Sequence, residues 1–518
     1  MKKRILARAG AAAAAAADTL RHNLKRAANS AMTIGTHHDA ATWTAQNGSP
    51  MTKRILPRLL AGASLALLTA TAAHADDFDV GPAKVTLGGF LAFEGVYRSR
   101  DESADIGSSY NGIPFSNSPL AHTSEERFTA RQSRLSVLAQ GDANPNTHLA
   151  FYGEFDFLGA GQTANSNESN SYNLRIRNVY GTVDWDNLGL QLLAGQSWSL
   201  ATLNSKGITP RNEVAPATID AQYVVGFGWA RQPQIRIVKN WDKELWLAVS
   251  LENAQTTFAP NAAAAAGVSV TNVAAGGSLF DKNNNYSLNH APDVIGKVAW
   301  EPRIGNAQPL HVEAFGIYRS FYDRVSTAAG NAGGYAVGIH NSNQSGGGFG
   351  GSITWSVVPG LLDLQATGMA GSGIGRYGSG QLPDVTLRPD GSLAPLREDM
   401  LMGGATWHVS PMLDIYTYGG QEEQTAKYYN VGTGHQGVGN PAYNLAGCFT
   451  EGGACSPNLK TVDEITGGFW WRIYNGHYGS FRYGMQYSYH HNTAFTGTGG
   501  KPIADDSMIF TSLRYYPF

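Results

Sequence analysis

Charged residues recur in segments where apolar and polar side chains alternate. Successive side chains of a strand point to opposite faces, so the apolar parity assigns each charged residue to a face. Arginine stays charged at any relevant pH and makes two-point contacts with carboxylate or phosphate oxygens. The polar face is therefore expected to attract small anions. Its predicted members are Arg134, Arg175, Arg177, Arg236, Arg482, Glu154 and Asp156.

The acids on this face leave a second interpretation open. Glu94, Glu154 and Asp156 share the polar face and could pair with the arginines. A pore with both signs across it would orient solutes without a strong preference for charge. Arg131 shares the parity of apolar Leu135, which predicts either a subunit contact or a bulge at that position.

Sixteen segments carry the alternation, and they predict an all-β protein. The segments are 84–98, 127–140, 147–158, 172–186, 188–199, 224–240, 243–252, 292–301, 308–323, 346–358, 361–374, 398–409, 412–424, 460–474, 477–492 and 506–518. Long connections alternate with short ones, and an aromatic strand ends the chain at Phe518. This rhythm predicts a transmembrane antiparallel up-and-down β-barrel of sixteen strands, with long extracellular loops and short periplasmic turns. A barrel of that size leaves an aqueous channel.

The start of the chain predicts export. From Met51, a positive start, an apolar stretch and Ala73-His74-Ala75 follow in the order of a cleaved signal peptide, 51–75. Residues 1–50 are interpreted as an upstream extension from a mis-called start, outside the fold, and 76–518 as the barrel domain. Residues 1–75 hold ten of the 38 basic and two of the 40 acidic residues, which leaves a net charge of about −10. Such a chain is not a general nucleic-acid binder.

Other chemistry-bearing residues are few. Cys448 and Cys455 are the two cysteines, and in an exported chain the expectation is a disulfide that closes a small loop. The third long connection, 201–223, adds Lys206 and Arg211 and is expected to fold inward and narrow the channel. The sequence contains no HExxH, GxSxG or Walker pattern, so no enzyme, metal site or cofactor is predicted.

Several blocks, in this order and spacing, resemble the DcaP-type trimeric porins. They are RQSRL (131–135), GEFDFLG (153–159), LRIR (174–177), LAGQSWS (193–199) and RQPQIR (231–236). The resemblance covers 84–240 and implies a sixteen-stranded homotrimer that passes small anionic solutes, dicarboxylates in particular, through an arginine-lined constriction. It transfers that role to Arg134, Arg175, Arg177 and Arg236. Such porins can carry a periplasmic coiled coil, whereas only 76–83 precede the first strand here.

The sequence thus predicts a bacterial outer-membrane porin for small hydrophilic solutes. Its partners would be outer-membrane lipid, lipopolysaccharide and the barrel assembly machinery. A neutral-sugar porin is the alternative, because aromatic rings can stack on the apolar faces of sugars, although such residues more often form the interfacial girdle or a subunit contact. The rings in question are Tyr416, Tyr418, Tyr428, Tyr429, Trp470 and Trp471. An adhesin or receptor is a further alternative, because two loops are long, 253–291 and 425–459. A barrel-embedded lipase is a remoter alternative.

Overall fold

The computed structural model describes residues 77–517 except 160, 162–166, 169, 261, 272–288, 306 and 332. The predicted signal peptide, the upstream segment, Phe518 and much of loop 253–291 lie outside these residues. Among the residues described, no helix is long and apolar enough to cross a membrane.

Sixteen antiparallel strands close into one barrel, as predicted. In chain order they are Ala83–Arg98, Glu125–Thr129 continued by Arg134–Asn144, Thr147–Asp156, Arg175–Trp185, Leu190–Trp198, Arg231–Trp241, Leu245–Glu252, Asp293–Trp300, Leu310–Thr327, Gly338–Val358, Leu362–Ser372, Arg397–Ser410, Leu413–Gln424, Leu459–Gly476, Gly479–Ala494 and Ile503–Tyr516. Each strand pairs with the next one along the chain, and the first strand pairs with the sixteenth from Leu91↔Tyr515 to Arg98↔Met508.

The seventh strand shows how the sequence alternation becomes two surfaces. Its inward residues are buried, and they include Trp246 and Glu252. Its outward residues, Leu245, Leu247, Val249 and Leu251, are each between 43% and 49% exposed. Because a strand has a period of two, this alternation puts apolar side chains on the outer wall of the barrel.

Two ends of the barrel differ in their connections. The turn end carries the short turns, and the loop end carries the long connections. Three connections at the loop end matter below, and we name them L1 (99–124), L3 (199–230) and L6 (373–396). Short strands outside the sixteen lie at both ends: Asp77–Val80 folds back on the first strand, Val268–Thr271 pairs with the ninth, and hairpins form from Val385–Leu387 with Leu393–Pro395 and from Lys427–Val431 with Gly434–Val438.

The sixth strand begins later than predicted. We expected 224–240, but the strand is Arg231–Trp241, and residues 224–230 belong to L3. Val224, Val225 and Phe227 are fully buried inside the barrel. A short apolar run is compatible with either a lipid-facing strand or a packed loop, so periodicity alone could not separate them. Pro233 lies within the strand, opposite Gln196.

The second strand is broken at 130–133, where Arg131 lies. Its pairing with the first strand resumes at Arg134, opposite Phe90. The Arg131 side chain is buried, and its Nη1 lies 2.7 Å from Asp105 Oδ2 in L1. Arg131 shares the parity of apolar Leu135 because the strand is irregular between them, and not because Arg131 faces lipid. An irregularity was one of the two predicted explanations.

The ninth and tenth strands are longer than predicted. They pair without interruption from Leu310↔Trp355 to Thr327↔Gly338, so the connection between them shrinks to 328–337. The predicted connection, 324–345, included the polar residues 340–345 near the start of the tenth strand. Because these residues lack apolar alternation, the sequence contains no strand signal there.

Candidate functional site

L3 folds into the barrel, as predicted from the sequence. Leu200, Ala201 and Ile208 are buried against the inner wall, where they pack with Trp246 and Phe315. Further along L3, Ile219 packs with Val96, Met508 and Phe510 on the first and sixteenth strands. Apolar packing therefore holds both ends of the loop against opposite parts of the wall, and L3 divides the interior.

Inward carboxylates of the wall hold the backbone of L3. Backbone N–H groups inside a protein need acceptors, and here acidic side chains supply them. The bonds are Leu200 N to Glu252 Oε1 at 2.8 Å, Asn204 N to Glu313 Oε1 at 3.2 Å, Gly207 N to Glu301 Oε1 at 2.5 Å, Val225 N to Glu464 Oε2 at 2.8 Å and Gly226 N to Glu422 Oε1 at 2.8 Å. These acids are buried anchors for the loop, so their charge is removed from the open part of the lumen.

A cavity of about 510 Å³ remains between L3 and the wall. Strands two to five line one side, and strands thirteen to sixteen line the other. Its charged lining residues are Arg134, Arg177, Arg211, Arg482, Arg514, Glu154, Glu213, Asp220 and Asp414. Its aromatic lining residues are Tyr152, Tyr180, Trp198, Tyr223, Trp470 and Tyr516. The cavity therefore combines guanidinium groups with ring faces.

Four of the predicted residues form one ion-pair cluster. Arg177 is buried, with Nε 2.5 Å from Glu154 Oε1 and Nη1 2.9 Å from Asp156 Oδ2. Arg175 makes a two-point contact with Asp156, at 2.9 and 2.7 Å. Two arginines thus meet two carboxylates, which is the pairing that the second interpretation of the sequence allowed. This cluster has little net charge.

Three other arginines are less fully neutralised by neighbouring carboxylates. Arg134 lies 3.8 Å from Glu154 Oε2, whose carboxylate is already bound by Arg177. Arg482 stacks over the Tyr516 ring at 4.3 Å and donates from Nε to Ser480 Oγ. Arg211 of L3 is exposed and lies 3.4 Å from the Tyr180 hydroxyl. In the described part of the chain, no carboxylate lies within 4 Å of the Arg482 or Arg211 guanidinium.

The remaining predicted positions lie outside the cavity. Arg236 is buried behind L3, where it bonds Gln234 and Trp198 O and lies 3.9 Å from Glu213 Oε1. The structure does not bring Arg236 into the cavity, although its parity is inward as predicted. Lys206 is exposed in L3 and lines a separate cavity toward the turn end.

Burial raises the pKa of two carboxyl groups in L3. Burial raises the pKa of Glu213, against the opposing effect of the Arg236 guanidinium. Burial also raises the pKa of Asp220, although the Ser108 side chain and the Gln222 backbone N–H stabilise its charged form. Both shifts favour the neutral carboxyl group over the carboxylate.

Tyr223 of L3 lies beside three arginines, which act on the pKa of its phenol. Burial by itself would raise the pKa of its phenol, but the guanidinium groups of Arg177, Arg231 and Arg134 outweigh that effect and lower it. A phenol is easier to ionise where the surroundings favour negative charge. The arginines around Tyr223 therefore stabilise the charged form of its phenol.

Arg514 was not predicted as a site residue. Arg514 lines the cavity, lies 2.7 Å from Glu94 Oε1 and stacks over Trp470 at 4.7 Å. One pattern in the sequence could have indicated it, because Arg514 and Tyr516 lie two residues apart and therefore share one face of the last strand. Tyr223 was missed as well, because no pattern in the sequence indicates where the ring of a loop residue lies.

The aromatic candidates for a sugar path separate into different sites. Tyr416 and Tyr418 are buried against L3, and Trp470 lines the cavity and donates to Ala217 O at 2.8 Å. Trp471 faces outward, and Tyr428 and Tyr429 lie on a hairpin at the loop end. One of the six rings therefore reaches the cavity.

Cys448 and Cys455 form a disulfide, in the connection between the thirteenth and fourteenth strands. In the described segments, no group of three or more His, Cys, Asp or Glu side chains is arranged to hold a metal ion.

Solved structures share this fold. The chain resembles the outer-membrane channel DcaP of Acinetobacter baumannii with a TM-score of 0.59 and 17% identity, over 86% of this chain and 99% of that one. The anion-selective porin from Comamonas acidovorans gives a TM-score of 0.45 at 10% identity, over 84% and 99% of the two chains. OmpT of Vibrio cholerae gives 0.42 at 12% identity, over 85% and 100%. No family model and no curated protein matches the sequence. The chain therefore has the fold of the outer-membrane channels.

Proposed function

We propose that the chain is an outer-membrane porin that lets small hydrophilic solutes diffuse through, with a preference for small anions such as dicarboxylates. The apolar outer wall fits a lipid environment, and the closed barrel satisfies the backbone hydrogen bonds that lipid cannot. The fold shared with DcaP supports the same assignment. The functional unit is a homotrimer, and Asp76 is the first residue after signal-peptide cleavage.

The observation that carries the anion preference is the composition of the cavity beside L3. Among the described residues, Arg211 and Arg482 line it with no carboxylate within 4 Å, and Arg134 shares Glu154 with Arg177. Positive groups in a narrow passage raise the local concentration of anions and lower their entry barrier. A dicarboxylate could make a two-point contact with each of two guanidinium groups, whereas a chloride ion carries a single charge and makes no two-point contact.

Reversal potentials test this proposal. The trimer would be reconstituted in a planar bilayer under a KCl gradient, and conductance in steps of three with anion preference is expected. Cation preference would reject the arginine argument, and a complete lack of conductance would favour an adhesin or receptor. Liposome swelling with succinate and with a neutral sugar of similar size would then measure solute preference.

A neutral-sugar porin is the second candidate. Trp198, Trp470 and Tyr152 line the same cavity, and aromatic rings can stack on the apolar faces of sugars. Faster swelling with the sugar than with the dicarboxylate, together with weak charge selectivity, would favour this candidate. Substitution of Trp470 by Leu should then slow sugar entry and leave the reversal potential unchanged.

Lipopolysaccharide contact and assembly by the barrel assembly machinery remain parts of the proposal. Both follow from an outer-membrane location. Depletion of the assembly machinery should leave the chain sensitive to protease in the periplasm, and N-terminal sequencing of the exported protein checks the cleavage site.

A further inference from the structure

A group of oxygen atoms under L6 has no hydrogen-bond donor. Glu398 of the twelfth strand and Glu422 and Gln424 of the thirteenth point inward at the loop end, and each is fully buried. Glu398 lies directly opposite Gln424, and Glu422 lies opposite Met400, so the two carboxylates are diagonal neighbours on one face. Such neighbours are within reach of a shared ligand.

L6 covers these side chains with glycine. A Cβ atom added at Gly375 would lie 2.7 Å from Glu398 Oε2, and one at Gly380 would lie 2.7 Å from Glu422 Oε2. Gly380 N and Gly226 N of L3 both donate to Glu422 Oε1 at 2.8 Å. Two loops and two strands therefore meet at one point.

The other oxygens of the group are unpartnered. Glu398 Oε1, Glu398 Oε2, Glu422 Oε2 and Gln424 Oε1 are buried without a hydrogen bond. Within the described ranges, no Lys, Arg or His lies within 4 Å of either carboxylate. The neighbouring acid Asp384 is already paired with Arg319 at 2.7 Å, and the Gln424 amide donates to Pro383 O.

Two buried carboxylates without a counter-charge are costly, so a proton or a cation has to compensate them. One proton supplies one hydrogen bond, which leaves most of the four oxygens unpartnered. A calcium ion takes roughly six to eight oxygen ligands, so one ion could bind several of these atoms. The donor set holds only oxygen, with carboxylate and amide groups together, and this is the set that calcium prefers.

We propose that Glu398, Glu422 and Gln424 bind a calcium ion, which joins L6 and L3 to the wall at the loop end. Only two ligands are acidic, so the site has a low ligand charge. The expected dissociation constant is about 10⁻⁴ to 10⁻³ M, the range of extracellular calcium modules. This site is separate from the arginine cavity and does not depend on solute selectivity.

The test uses the full-length barrel refolded in detergent without lipopolysaccharide and washed with EDTA. Equilibrium dialysis with ⁴⁵Ca²⁺ should give one ion per chain, and calcium should raise the apparent melting temperature with half-saturation near the same concentration. Magnesium and sodium at matched ionic strength should have weaker effects. Glu398→Gln and Glu422→Gln should each lower calcium affinity at least tenfold.

Glu423→Gln is the matched control, because Glu423 faces outward and pairs with Lys460 at 2.9 Å. It should keep the calcium response. Should a Gln variant fail to refold, Glu398→Asp retains the charge and should bind calcium more weakly than the unmodified chain. The proposal is overturned if the unmodified chain binds no calcium or if Glu398→Gln binds it equally well. Stabilisation by acid alone, with no response to calcium, would show that a proton occupies the site.

Discussion

The Arg482 guanidinium lies over the Tyr516 ring, 4.3 Å from its centroid, and in the described structure no carboxylate approaches it within 4 Å. The ring holds the cation in place without neutralising it. Among the cavity arginines that stand on the barrel wall, Arg482 therefore contributes the most uncompensated charge. Arg514, by contrast, is paired with Glu94.

Substitution of Arg482 by Gln should weaken anion preference. A unit charge about 8 Å from a permeating ion in a water-filled pore changes its energy by about 0.5 kcal/mol, which is about twofold for each sign of ion. The anion-to-cation permeability ratio should therefore fall about fourfold, measured by the reversal potential in a KCl gradient. Arg482→Lys should keep most of the preference, and a Gln variant with unchanged selectivity would place Arg482 away from the ion path.

Substitution of Arg177 by Ala should lower stability and selectivity together. Removal of one partner from a buried ion pair costs up to about 3–5 kcal/mol when the other charge is left alone, and the remaining arginines should keep the cost below that limit. Glu154 and Asp156 would then face the cavity with Arg175 and Arg134 as their partners. The readouts are the apparent melting temperature in detergent and the reversal potential.

The control for Arg177 is Arg175→Ala, because the Arg175 side chain is 35% exposed and should cost less. The double variant Arg177→Gln with Glu154→Gln should recover part of the lost stability. Failure to recover any of it would show that packing, rather than charge, makes Arg177 necessary.

Glu102 of L1 should make stability depend on pH. Burial raises the pKa of this carboxyl group from about 4.5 to about 8, although Arg98 favours its charged form. Between these two values the folded state binds more protons than the unfolded state, so stability falls as pH rises. The contribution is full below about pH 4.5, decreases by at most about 1.4 kcal/mol per pH unit and is lost above about pH 8.

Melting temperatures measured from pH 5 to pH 9 would check this dependence. Glu102→Gln should flatten the curve over that interval, and Glu126→Gln, at an exposed position, should leave it as in the unmodified chain. Identical slopes for all three proteins would assign the pH response to other groups.

Gly226 should be necessary for the position of L3. Its φ is +82°, and a Cβ there would overlap the Leu401 carbonyl oxygen. Gly226→Ala should therefore cost about 1–3 kcal/mol and displace L3, with a larger and noisier single-channel conductance. Gly228 is the matched control, because a Cβ there meets no atom within 4 Å. Equal conductance in the two variants would mean that L3 does not narrow the channel.

The sequence by itself determined the barrel, its strand number and the inward or outward direction of most side chains. These follow from the period of two, which is a local property of each strand. It also predicted that L3 folds inward, that Cys448 could meet Cys455, and that Arg134, Arg177 and Arg482 would share a polar face.

Only the tertiary structure decided which charges remain free. Register between strands decides that Arg177 pairs with Glu154 and Asp156, and that Arg514 lies in the cavity. The path of the loop decides that Arg236 is buried behind L3. Residues 224–230 show the same limit, because an apolar run packs equally well against lipid or inside a barrel. Parity fixes the face of a side chain, whereas its partner is set by residues distant in the chain.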